Sequence, residues 1–190
     1  MPSTGLAANN AIAGLLLLAR AFPQRLAAQR EHRWLQLRRE LAPPDLQGQT
    51  ILIVGVGAVG AAVARFARAL DMRVIGVRRS PPVAGEPVDE MHPPSILDAL
   101  LPRAQWLVPA CPHTAETHHL LDARRLALLP RGAGVINVAH GGLIDEAALI
   151  EALQSGQVGS ACLDVFEHAS LPADSPLRAL SNVLLMPGLP

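Results

Sequence analysis

Short, unbroken apolar runs recur along the chain at residues 51–54, 73–77, 106–110, 135–138, 161–165 and 183–186. Runs that are apolar throughout, instead of alternating with polar residues, predict strands covered on both faces, as in a parallel sheet. Between them lie helical stretches at 59–70, 95–101, 122–129 and 145–155, each expected to open near a Ser or Asp that caps its first turn. The alternation of strand and helix predicts a doubly wound α/β domain over residues 46–190.

Ahead of that domain, residues 7–40 place apolar side chains at helical spacing (Leu15, Leu18, Phe22, Leu26), with Pro23 marking a break or kink. Leu41-Ala42-Pro43-Pro44-Asp45 reads as a linker, so residues 1–45 form a helical segment and linker. Pro109 falls inside the third strand run and predicts an edge position or an early strand end there. Residues 81–94 hold Pro81, Pro82, Pro87, Pro93 and Pro94, an irregular connection with room for a further short strand. No internal repeat is visible.

Composition removes several function classes. Half of the 190 residues are hydrophobic, which rules out a disordered chain. The formal charge is zero, so no overall field gathers nucleic acid or anionic membrane. All sixteen basic residues are arginine, which removes Schiff-base lysine chemistry and the P-loop lysine. Tyrosine is absent, which argues against short-chain dehydrogenases, a class whose proton donor is a tyrosine. Cys111 and Cys162, each in an apolar run, read as buried free thiols in a reducing compartment. Residues 11–19 imitate a signal peptide, but no basic residue precedes them and the pattern continues into an amphipathic helix, so a cytoplasmic protein is expected. The arginines between Arg20 and Arg39 read as a solvated helix face, and no metal site is expected.

The sharpest local signal follows the first strand run. Gly55-Val56-Gly57-Ala58-Val59-Gly60 joins it to a helix, the context in which a GxGxxG turn holds a dinucleotide pyrophosphate. Gly55 serves the tight turn, Gly57 the close approach of phosphate, and Gly60 the packing of helix on strand, while N–H groups at the helix start hold the anion. This makes the domain Rossmann-type. The second strand should end beside the adenosine ribose, where an NAD site carries an acid about twenty residues beyond the glycines. Arg78-Arg79-Ser80 stand there instead. Guanidiniums suit a 2′-phosphate through bidentate, charge-assisted bonds, so NADP is favoured, with NAD possible.

Further motifs carry a family resemblance. Leu52 to Gly60, Met72-Arg73-Val74-Ile75-Gly76, Pro112-His113-Thr114-Ala115-Glu116-Thr117, Asn137-Val138-Ala139-His140-Gly141-Gly142-Leu143-Ile144-Asp145-Glu146, Leu163-Asp164-Val165-Phe166-Glu167 and Leu171-Pro172-Ala173-Asp174-Ser175-Pro176-Leu177 follow one another in the order and spacing of the D-isomer-specific 2-hydroxyacid dehydrogenases. The chain resembles that family over nearly its whole length, and its second strand most resembles the glyoxylate and hydroxypyruvate reductases. The resemblance implies backbone contacts from Ala58 and Val59 to the pyrophosphate and Arg78 facing the ribose. It also implies an adenine-side wall of Cys111, Pro112 and Thr117, and Val138, Ala139 and Asp164 near the nicotinamide.

In such enzymes an arginine clamps the carboxylate of a 2-oxo acid, and a histidine tuned by a glutamate protonates the carbonyl as hydride arrives. The matching positions here are His140, Ala169 and Gly188. Imidazole lacks the guanidinium fork and is largely neutral at neutral pH, so a carboxylate would be held poorly. Glycine offers no proton, and loss of a general acid costs about two to four orders of magnitude in rate. His113, His118 and His119 are expected as solvated residues on the adenine side. The family's substrate domain is built from sequence on both sides of the cofactor domain, whereas this chain begins near the interdomain helix, so a missing lid is expected too. Three readings follow: a cofactor-binding member with impaired catalysis, an active reductase of small 2-oxo acids whose site uses His140 or a partner chain, and a non-enzymatic module that senses nucleotide or dimerises through its N-terminal helix.

Overall fold

A computed structural model describes residues 4–35, 45–168 and 170–186. Two helices lead, α1 (Thr4–Ala19) and α2 (Phe22–Arg30). The domain then runs β1 (Thr50–Val54), α3 (Ala58–Ala69), β2 (Arg73–Val77), β3 (Glu90–His92), α4 (Leu97–Leu100), β4 (Trp106–Pro109), α5 (Ala123–Leu128), β5 (Ala133–Asn137), α6 (Glu146–Gln154), β6 (Val158–Leu163) and β7 (Val183–Leu185). The strands form one sheet in the order β3-β2-β1-β4-β5-β6-β7, and every pairing is parallel.

Successive side chains of a strand point to opposite faces, and the two cores follow from that. Ile51 and Ile53 of β1 pack with α1 and α3, together with Val74, Val108 and Ile136. Leu52 and Val54 pack on the other face with α4, α5 and α6, beside Ile75, Leu107 and Val135. The strands are apolar throughout because both faces are covered, as the sequence pattern predicted. The segment with five prolines does hold a strand, β3, whose Glu90 is bound by Arg103, Arg73 and His92. The Arg103 guanidinium, then His92 and Arg73, hold its carboxyl well below the usual carboxylate range.

Three expectations need correction. The stretch 7–40 breaks beside Pro23, as expected, but is helical over less of its length: Ala21 sits in the left-handed region at φ 49, the chain turns there, and Pro23 falls in the first turn of α2, where a missing N–H is tolerated. α2 stops at Arg30, residues 31–35 continue without helix, and 36–44, which hold the end of that stretch and most of the linker, lie outside the described residues. Pro109 is not on an edge, since β4 lies between β1 and β5. It does end its strand, and the next donor toward β1 is the Ala110 N–H, 2.7 Å from the Val54 carbonyl. Side-chain caps exist on α5 and α6, where Asp122 and Asp145 accept from Arg125 N and Ala148 N at 2.8 and 3.0 Å, but α3 and α4 have none. The bare start of α3 bears directly on the site.

α1 is part of the same core. Ala8, Ala11 and Leu15 are fully or almost fully buried in the cluster built on α3 and the sheet, which leaves Leu16 as the large exposed apolar residue of α1 and Phe22 as that of α2. Among the described residues no single helix is long and apolar enough to cross a membrane.

Candidate dinucleotide site

The order of the strands reverses between β1 and β4, and the loops leaving their carboxyl ends bound a crevice, the place where doubly wound sheets take ligands. Gly55 leaves β1 with φ 106, and a Cβ there would lie 2.4 Å from Cys111 N. Only glycine lets the two loops approach so closely. At Gly60 a Cβ would meet the Gly55 carbonyl oxygen at 2.0 Å, so helix and strand touch backbone to backbone. At Gly57 a Cβ would meet nothing within 4 Å, and that side of the turn is open. The α3 ladder begins with Ala61 N donating to Gly57 O at 2.8 Å, so the N–H groups of Ala58, Val59 and Gly60 have no intrahelical carbonyl to reach. With no side-chain cap either, they present a donor array suited to a pyrophosphate.

At the end of β2 the three candidate residues are placed unequally. Arg79 and Ser80 are exposed, and the nearest charge to Arg79 is Glu116 at 3.8 Å. Arg78 turns into its own loop, with Nε donating to the Ser80 carbonyl at 3.1 Å and its terminal nitrogens to the Pro81 carbonyl and to Glu86. The sequence reading missed Glu86, which stands in the proline-rich connection without a periodic pattern around it.

Across the crevice, the loop after β4 brings Cys111 against Gly55. Thr117 Oγ1 donates to the Pro112 carbonyl at 2.7 Å and accepts from Thr114 N at 2.8 Å, which fixes the segment 112–117. Cys111 is half-buried and Cys162 buried, both free thiols. Burial pushes the Cys162 thiol up to about 12, with the Asp164 charge adding to it.

Beyond β5 and β6, Val138 is buried and Ala139 and His140 are half-buried. The Asn137 side chain shapes this turn, donating to the His140 carbonyl at 2.9 Å and accepting from Ala139 N at 3.2 Å. Asp164 ends β6, is 7% exposed, and takes one hydrogen bond from Asn10 Nδ2 of α1 at 3.1 Å. Its other carboxylate oxygen is buried without a partner. An orphaned acceptor at the sheet's carboxyl edge fits a ligand that brings an N–H donor, such as a carboxamide. Asn10 was not anticipated, although a polar residue on an apolar helix is a visible signal. A cleft of about 530 Å³ opens here, lined by Ala139, His140, Asp164, Phe166, His168 and Arg178 among others. Arg178 donates to the carbonyls of Pro172 and Leu171 at 2.9 and 2.8 Å. Ala169 and Gly188 lie outside the described residues.

His113 and His118 are exposed, as expected, and His119 is half-buried, but the three also form a row that was not foreseen. His113 lies against the 140–142 turn, its ring centroid 6.4 Å from that of His140, and a Cβ on Gly142 would come within 2.7 Å of its Nε2. His113 contacts His118 at 3.2 Å between ring nitrogens, His118 stacks on His119 at 3.9 Å, and His119 Nε2 lies 2.8 Å from Glu167 Oε1. They form a row joining the loop after β4 to the turns after β5 and β6, because His119 N–H donates to the Gly142 carbonyl and draws the segments together. The donor atoms of His118, His119 and Glu167 lie within 4.8 Å of one another, a spacing that could hold a cation. The contact between His119 and Glu167 already satisfies that pair without one.

A parallel doubly wound sheet with this turn at its reversal point defines a nicotinamide dinucleotide-binding domain. Residues 12–189 match the family model described as the NAD-binding domain of D-isomer specific 2-hydroxyacid dehydrogenases, and the chain belongs to that family. It is 41% identical over 145 residues to a glyoxylate/hydroxypyruvate reductase B of Citrobacter koseri, covering 75% of this chain and 44% of the relative. It is 35% identical over 184 residues to a D-3-phosphoglycerate dehydrogenase of Synechocystis sp., covering 96% of this chain and 32% of the relative. Among solved structures, a D-isomer specific 2-hydroxyacid dehydrogenase from Xanthobacter autotrophicus Py2 in complex with NADPH and MES superposes with a TM-score of 0.86 at 39% identity, over 97% of this chain and 57% of that one. The chain therefore spans between about a third and under half of the curated relatives' length.

Proposed function

We propose that the chain binds NADP(H) in preference to NAD(H) and that its capacity to reduce 2-oxo acids is impaired. The observation that carries the binding half is the uncapped start of α3 on a turn whose Gly55 and Gly60 cannot be replaced without a backbone clash. Asp164, with one oxygen buried and unpartnered, supplies a second anchor for the nicotinamide end. Arg79, exposed at the end of β2, and Arg78 beside it provide the positive charge that a 2′-phosphate needs. When bound, the cofactor supplies a hydride; the residues of this chain have to hold the oxo acid and deliver the proton.

The catalytic half is weak on those two tasks. His140 stands in the family's arginine position and offers no fork, while Ala169 and Gly188 replace the positioning glutamate and the proton-donating histidine. The purified chain, mixed with glyoxylate or hydroxypyruvate and NADPH, should show no turnover. A rate in the usual enzyme range of about 1–1000 per second would overturn this half of the proposal.

One observation favours a second reading, an active reductase of small 2-oxo acids with a rearranged site. The cleft beside Asp164 is lined by two imidazoles, His140 and His168, and by the Arg178 guanidinium. A histidine and an arginine are the groups such a reduction requires, although Arg178 is already bonded to two carbonyls. On this reading any turnover that is detected disappears in His140→Ala. An unchanged rate removes it.

A further inference from the structure

We infer that Glu86 is a specificity-determining residue of the ribose pocket: its carboxylate holds Arg78 in an ion pair that a 2′-phosphate has to displace and a bare ribose does not. The inference rests on the reading of Arg78 as a phosphate ligand. Each nitrogen of the Arg78 guanidinium already donates within its own loop, to the Ser80 carbonyl, the Pro81 carbonyl and the Glu86 carboxylate. Both side chains of the pair are 17% exposed, so solvent and salt screen it less than an ion pair on the open surface.

Glu86 does not swing freely. Its second carboxylate oxygen accepts from Val83 N at 3.0 Å, and its own N–H donates back to the Val83 carbonyl at 3.4 Å. The turn that results passes through Gly85 at φ 85, a left-handed conformation that glycine adopts without strain. A carboxylate fixed by its own backbone loop and aimed at the guanidinium is a built competitor for the anion.

The consequence differs between the two cofactors. A 2′-phosphate brings up to two negative charges to a guanidinium whose charge is already balanced, and it leaves Glu86 beside a second anion if the exchange is incomplete. A 2′-hydroxyl brings no charge and leaves the pair in place. Arg79 makes only a long contact to Glu116 in solvent and can meet the phosphate without such an exchange. Glu86 therefore narrows the NADP preference that the two arginines would otherwise give.

The test is a set of nicotinamide-fluorescence titrations with NADPH and with NADH on the full chain, Glu86→Gln, Arg78→Ala and the double variant. Glu86→Gln keeps the size of the side chain and an acceptor for Val83 N while removing the charge. It should tighten NADPH about tenfold and move NADH less than about twofold, a tenfold change corresponding to about 1.4 kcal/mol. In the Arg78→Ala background the gain should vanish. An unchanged or weaker NADPH affinity in Glu86→Gln, with Arg78→Ala still weakening NADPH, overturns the role of Glu86 alone. NADPH affinity unchanged in Arg78→Ala overturns the phosphate-ligand reading on which the inference rests. Should Glu86→Gln lower the melting temperature enough to blur the titration, Glu86→Asp, which withdraws the carboxylate by one methylene, reads the same direction.

Discussion

The glycine turn after β1 and the cleft after β5 and β6 lie on the same edge of one sheet and are made of different material. The turn is backbone: a Cβ on Gly55 or Gly60 would come within 2.4 or 2.0 Å of main-chain atoms, and the groups it offers a ligand are N–H donors that every side-chain exchange short of proline leaves in place. The cleft is side chain: Asp164, His140, His168 and Arg178 line it, and each can be exchanged while the sheet stands. A site made of main chain survives drift because the fold itself is its support. A site made of side chains changes one residue at a time, and on the proposed reading the catalytic positions are occupied by His140, Ala169 and Gly188.

That contrast can be broken most sharply at the turn. Gly55→Ala forces a Cβ onto Cys111 N at a residue with φ 106, and should destabilise the domain by about 2–4 kcal/mol and abolish dinucleotide binding. Thermal unfolding with a cofactor titration checks both, and a variant that still binds removes the backbone argument. Next in size, Arg78→Asp should weaken NADPH by about tenfold or more while leaving NADH within about twofold, measured by fluorescence titration.

A smaller effect concerns the edge strand beside that pocket. Arg103, His92 and Arg73 hold the Glu90 carboxyl below its ordinary value of 4.5, so the folded protein binds its proton less readily than the unfolded chain. The stabilisation is fully present above that ordinary value and is lost as pH falls below it toward the depressed folded pKa. Melting temperatures measured from about pH 6 down to about pH 3 should fall less steeply in Glu90→Gln than in the parent. Smallest of all is His140→Ala, expected to leave NADPH affinity within about twofold, since the turn and not the cleft supplies the phosphate contacts. A large loss of binding there would erase the distinction between the halves.

The same contrast explains what could be read from the sequence. Strand runs 51–54 and 73–77, the glycine turn and the caps Asp122 and Asp145 are local patterns, and local patterns are legible. Pro109 was ambiguous because its neighbours across the sheet are distant in sequence, and only strand order shows that β4 is central. The pairing of Arg78 with Glu86 spans eight residues of irregular chain, and the row from His113 to Glu167 is assembled by loops from different strands. Neither has a period. Asn10 reaches Asp164 across 154 positions, a contact that depends on how α1 packs on the sheet.

The most direct test of the central claim is a titration of the purified chain with NADPH and NADH, followed by nicotinamide fluorescence. Saturable binding of both, with NADPH the tighter, is the result predicted from the bare start of α3 and the arginines at the end of β2. Binding of neither cofactor would contradict it.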